Sequence, residues 1–97
     1  MVTLANNFLF NCPSVSILRS CNRLILISGS SAAELLTKHM AGEWESTDEE
    51  LVQKNHESLK ICLGAVISHY HLAGGAIITI RTDIPSGDTD IEICPSL

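Results

Sequence analysis

The sequence predicts an α+β fold: two helices packed on an antiparallel sheet that includes a C-terminal three-stranded meander. Three observations predict it. Apolar side chains recur every three or four positions between Ala32 and Cys62, which is the spacing of a helix face. From Ala65 the period changes to two, the repeat of a strand. Glycines at 29, 42, 64, 74 and 75 and the triplet Pro85-Ser86-Gly87 separate these stretches where the chain must turn.

Taken in order, Pro13 introduces Ser14-Val15-Ser16-Ile17-Leu18, whose alternation predicts a half-buried strand. Arg19 to Asn22 is a polar break, and the Ile-rich run Arg23 to Ser28 is expected to complete a two-stranded hairpin. Ser30 or Ser31 then caps a helix over Ala32 to Met40, with Glu34 in its first turn and Ala32, Leu35, Leu36 and Met40 inward. Gly42 ends that helix. Ser46 or Thr47, each followed three residues later by a glutamate, forms a capping box in one of two registers. The second helix is expected over Asp48 to Cys62, with Leu51, Val52, Asn55, Leu59 and Cys62 near one face. Asn55 is expected to bond to the loop around Trp44. In the next segment Val66, Ser68, Tyr70 and Leu72 share one strand face, and Ile67, His69 and His71 the other. Gly74-Gly75 turns the chain into Ala76 to Arg81, and Thr89 to Cys94 closes the meander with Ile91 and Ile93 on one side.

The chain has 97 residues, 45% apolar and 18% charged, which fits a single domain over 1–97 with residues 1–12 as a disordered tail. A two-domain enzyme is excluded at this length. The net charge of −5 is regional: 43–57 holds six acids against Lys54, and the chain beyond Thr82 holds four acids and no base. With only six Lys and Arg, direct nucleic-acid binding is not expected, so the expected partner is a protein. Cys12, Cys21, Cys62 and Cys94 form no CxxC pair, and their wide spacing indicates free thiols and a cytoplasmic setting. The first residues lack the basic front of a secretory signal. The longest apolar runs are far below the roughly 20 residues a bilayer requires, so no membrane partner is expected.

Little in the sequence assembles into catalytic chemistry. His69 and His71 would place two imidazoles on one strand face, within reach of one ion. A closed site needs further ligands at recognisable spacing, and none stands there, so no metal or other cofactor is assigned. No nucleophile elbow, phosphate-cradling loop or dinucleotide fingerprint is present, which favours a non-enzymatic protein. Trp44, between Glu43 and Glu45, has two readings. It plugs the corner between the helices, or it is an interface anchor ringed by acids. The second reading makes Glu43, Trp44, Glu45, Asp48, Glu49 and Glu50 a partner-binding set.

The stretch Leu35-Leu36-Thr37-Lys38-His39-Met40-Ala41-Gly42-Glu43-Trp44, the pair Glu49-Glu50, Asn55, Leu59 and Ser68-His69-Tyr70 resemble a family of small uncharacterised proteins carried on bacterial plasmids and integrated elements. The resemblance covers about residues 32–83, and the C-terminal segment departs from the pattern. It implies a mobile-element setting and a bacterial cytosol, and it implies no mechanism. The expectation is a small interaction module from a mobile element, acting as an acidic inhibitor of a nucleic-acid-handling or defence complex. The alternatives are a metal-binding or hydrolytic domain centred on His69 and His71, and a self-associating module, a homodimer among them, that pairs an open sheet edge.

Overall fold

The computed structural model describes residues 8–44 and 46–94. Their order is β1 (Ser14–Ile17), α1 (Arg19–Ile27), α2 (Ala32–Ala41), α3 (Glu49–Ile61), β2 (Ala65–His71), β3 (Ile77–Asp83) and β4 (Asp88–Ile93). The α+β class holds, with three helices rather than two. The sheet has the order β1-β4-β3-β2. β2, β3 and β4 form the antiparallel meander, and β1 pairs parallel to β4, so the sheet is mixed.

The largest departure from expectation is α1, because the Ile-rich run 23–28 is helical and not the second arm of a hairpin. Local preference favours a strand here: Ile25 and Ile27 are β-branched, the N-cap Leu18 offers no side-chain bond, and the first turn holds no acid. Packing decides otherwise. Cys21 and Ile25, one turn apart, are buried with Leu24 against their flank. The helix closes where Gly29 adopts φ 93°: Ser30 N bonds to Ile25 O and Gly29 N to Leu26 O, the paired bonds of a Schellman end.

α2 starts on Ser31, whose hydroxyl accepts from Glu34 N, and closes at Gly42 with φ 83°. α3 is capped by Asp48, which accepts from Glu50 N, so neither Ser46 nor Thr47 forms the expected box. Thr47 is committed elsewhere: its hydroxyl accepts from His69 N at 2.9 Å. Cys62, expected on the buried face, lies past the last turn at φ 56° and is exposed. The left-handed residue turns it off the helix stripe. Asn55 is buried as its phase requires, but it grips β2 and not the Trp44 loop: its amide N donates to Ile67 O at 2.8 Å and its amide O accepts from Ile67 N at 2.9 Å.

One sheet face is buried. It carries Val66, Ser68, Tyr70, Ile78, Ile80, Thr82, Thr89 and Ile91, in the alternation that the register imposes. Ile91 is in this layer, whereas Ile93, expected beside it, is 43% exposed at the strand end. Cys21, Ile25 and Leu35 close the core from the helices. The opposite face is half-buried at Ile67, His69 and Thr79, and exposed at Asp88, Asp90 and Glu92. Residues 1–7 of the expected tail lie outside the described residues. Just after them Leu9 N bonds to Met40 O at 2.8 Å, and Phe10 packs edge-on to His39.

Candidate functional site

Two features deserve the name of a site, one buried and one exposed, and they share a residue. The buried one is centred on His39, which the helical stripe of α2 points inward. Its Nδ1 lies 2.5 Å from Ser68 Oγ on β2, and its Nε2 lies 2.9 Å from Thr82 Oγ1 on β3. Thr82 Oγ1 is 2.8 Å from Thr89 Oγ1, which donates to Gly87 O at 3.3 Å. Cys12 Sγ stands 3.5 Å from the same Thr82 oxygen.

The carbonyl at Gly87 sets the direction of this chain, because a carbonyl only accepts. Thr89 donates to it, Thr82 donates to Thr89, and His39 donates from Nε2 to Thr82. Nδ1 then accepts from Ser68. In this order every hydroxyl proton has an acceptor; in the reverse order the Ser68 proton has none along the chain. The imidazole is therefore neutral and carries its proton on Nε2. Burial lowers its pKa to about 4 from the ordinary 6.5, since desolvation disfavours the cation. A Ser-His pair invites a hydrolytic reading, but Ser68 and His39 are both fully buried. An imidazole with so low a pKa is also a weak base near neutral pH.

The exposed feature is the α2–α3 loop with the first turn of α3. Trp44 is only 5% exposed. Its indole N–H donates to His39 O at 2.9 Å, and its ring lies against that of His56, with centroids 5.2 Å apart. Trp44 is thus the plug of the corner, and the surface above it is polar. Tyr70 adds a second tie, its hydroxyl donating to Glu43 O at 3.2 Å. Thr47 adds a third through His69, and Thr47 N bonds to Trp44 O at 3.1 Å. On this pinned loop Glu43, Asp48, Glu49 and Glu50 are exposed, while Glu45 lies outside the described residues.

The second acidic zone is separate. Asp88, Asp90 and Glu92 line the exposed face of β4, and the register sets Glu92 beside Thr79 and Thr79 beside His69. Glu92 is therefore about 10 Å from His69, two strand spacings away. Asp83 is occupied by the turn, where its carboxylate accepts from Ser86 N and Oγ.

His69 is half-buried and His71 exposed. Among the described residues no group of three or more His, Cys, Asp or Glu is placed to hold a metal ion. None of the described helices is long and apolar enough to cross a membrane. The Cys21 thiol is pushed up by burial and then by the carboxylate of Glu92, so it is a packing group and not a nucleophile.

Sequence reasoning missed the buried chain. His39 falls in phase with Leu35 and Leu36, and Ser68 falls on the predicted inner face of β2, but Thr82 lies beyond the predicted end of β3. The fold and these sites together define a small α+β domain with an acidic shoulder over an apolar core that encloses one polar chain. In comparisons with protein families, curated proteins and solved structures, nothing matches this chain.

Proposed function

We propose that the protein is a non-enzymatic interaction module that offers its acidic shoulder to a basic protein surface. The observation that carries this reading is the pinning of the shoulder: three side-chain hydrogen bonds, involving Trp44, Tyr70 and Thr47, hold the loop that carries exposed Glu43 and leads into exposed Glu49 and Glu50 at the start of α3. A fixed array of charge needs little ordering on binding, which favours affinity, and it steers a basic partner to one place. The helix dipole also favours Asp48, Glu49 and Glu50 at this end of α3. That accounts for acids in the first turn, but not for three separate ties on the preceding loop.

The class of partner follows from the charge. A nucleic-acid-handling or defence complex presents a basic groove, and an acidic shoulder on a small domain can occupy it. The resemblance to mobile-element proteins fits such an inhibitor in a bacterial cytosol. The sealed Ser68-His39 pair supports a role without catalysis.

The test is capture from the native host with wild-type protein and with the Glu49→Lys, Glu50→Lys double variant. Binding is then measured with the purified partner. The affinity should fall about tenfold or more on double reversal and should weaken with salt. Indifference to both would refute the proposal. Reversal of Asp88 and Asp90 instead should have little effect.

A further inference from the structure

The two edges of the sheet are treated in opposite ways. At β2 the outward N–H and C=O of Ile67 are both taken by Asn55, and the N–H of His69 by Thr47. Three main-chain groups in the middle of that edge are thus taken by side chains. β1 is the other edge, and among the described residues nothing pairs with it on the side away from β4. Natural edges are usually blunted by charge, proline or a bulge, yet Ser14-Val15-Ser16-Ile17 contains neither charge nor proline.

The apolar surface of α1 adjoins this open edge. α1 packs on β4 and α2, whereas α2 reaches β2 and β3 through His39; α1 thus covers the β1 half of the sheet. Leu18 is 73% exposed, Leu26 56% and Ile27 75%, a concentration of large apolar side chains within one short helix and its cap. Leu26 and Ile27 adjoin at the end of the helix, and Ile27 lies beside Arg19 and Arg23 on its outer side, so this surface is apolar with a basic border.

From the open edge and this patch we infer that the occupant is a second copy of the chain, with β1 pairing antiparallel to β1 of the partner. The two four-stranded sheets then join into one of eight strands, and the exposed side chains of α1 close over the junction. The β1 sequence is its own complement. Val15 and Ile17 share the helix-covered side of the sheet with Thr89 and Ile91, and Ser14 and Ser16 share the other. With Ser16 on the two-fold axis, Val15 of each copy faces Ile17 of the other, and apolar meets apolar twice. A shift of one position in either direction would set Ile17 against a serine.

At the strand, charge permits the pairing. β1 is uncharged, and the acids of β4 in the two copies stand three strand spacings apart, about 14 Å, beyond the screening length at physiological salt. The charges flanking the junction on α1 are the exposed Arg19 and Arg23. A stable interface needs about 800 Å² per partner, roughly one eighth of the 6041 Å² surface of this chain, so segment 14–27 is the centre of the interface and not its whole extent. The acidic shoulder sits by β2, at the far edge, so it stays free in both copies.

The test is solution mass of the full chain over a wide concentration range. Wild type is expected at twice 10.5 kDa, and Val15→Lys and Ile27→Glu should each shift dissociation at least tenfold toward monomer with unchanged circular dichroism. In a Cys62→Ser background, Ser16→Cys should yield an oxidised cross-linked dimer that the background alone does not form, since facing residues in an antiparallel pair lie within disulfide reach. Glu49→Lys should leave the dimer intact, which separates this result from the fate of the acidic shoulder. A monomer at all concentrations overturns the inference. So does a dimer indifferent to Val15→Lys and Ile27→Glu, or one lost on Glu49→Lys.

Discussion

Acid should destabilise this protein through His39, by an amount the structure fixes to order of magnitude. In the unfolded chain the imidazole titrates at its ordinary 6.5, and in the fold at about 4. Between those values the unfolded state binds a proton that the native state refuses. Stability therefore falls as pH falls across this window, with a limiting slope of about 1.4 kcal/mol per pH unit. Above 6.5 both states are neutral, below 4 both are charged, and no further change comes from His39. The full contribution is about 3 kcal/mol, a large share of the roughly 5–15 kcal/mol expected for a domain of this size. Its cause is geometric: the cation would keep Thr82 as an acceptor for Nε2, but Nδ1 would then carry a proton toward Ser68, whose own proton would lose its place. Phe10, edge-on at 5.1 Å, offers no compensating polar group. The assay is urea unfolding followed by Trp44 fluorescence from pH 7.5 to 4, in wild type and in His39→Gln. Glutamine reaches Thr82 and does not titrate. Wild type should lose about 3 kcal/mol more than the variant across the range. Parallel curves, or a wild type that gains stability in acid, would refute the reasoning.

Other expectations test the remaining ties. Asn55→Ala should cost about 2–4 kcal/mol in thermal or chemical unfolding, because both main-chain groups of Ile67 lose their partner; a loss under 1 kcal/mol would show that water replaces the amide. Trp44→Phe removes the bond to His39 O, with about 1 kcal/mol lost, and native Trp44 fluorescence should resist a soluble quencher. Thiol labelling of the native protein should modify exposed Cys62 early and buried Cys21 only at the rate of unfolding. Equal rates at the two would contradict the burial of α1.

How much of this was legible depended on how local each determinant is. α2 and α3 were legible because Ser31, Gly42 and the apolar stripes act within a few residues of themselves. The meander was legible for the same reason, as Gly74-Gly75 and the alternation around Ile78 and Ile80 are local. α1 was not, since its β-branched residues favour a strand and only burial of Cys21 and Ile25 by distant elements makes a helix. One local sign was present: Gly29 supplied the left-handed end of a helix, but it also fits a turn. The position of Asn55 was readable from helix phase and its partner was not, because the pairing of α3 with β2 is tertiary. The acidic shoulder was readable as charge, while the ties under it depend on Tyr70 and His69, more than twenty residues away.

The polar chain through His39 also explains how the sheet chooses its register. On the apolar side of the meander, Val66, Tyr70, Ile78, Ile80 and Ile91 would tolerate a two-residue slip, since that shift keeps every side chain on its own face. The hydroxyls would not. A slip of β2 by two residues would replace Ser68 with Val66 or Tyr70 opposite Nδ1, and a slip of β3 would bring Ile80 or Ile84 to Nε2 in place of Thr82. Either leaves a buried imidazole nitrogen without a partner, at a cost of about 1–3 kcal/mol for each lost group. The native register is the one in which His39, Ser68, Thr82 and Thr89 are all satisfied, and the described residues leave no buried side-chain N or O unpaired. The apolar residues thus supply most of the drive to collapse, whereas the buried hydroxyls and the histidine select one alignment among those the apolar pattern allows. That same alignment sets Tyr70 under Glu43 and His69 beside Thr47, so the placement of the acidic shoulder follows from the register that His39 enforces.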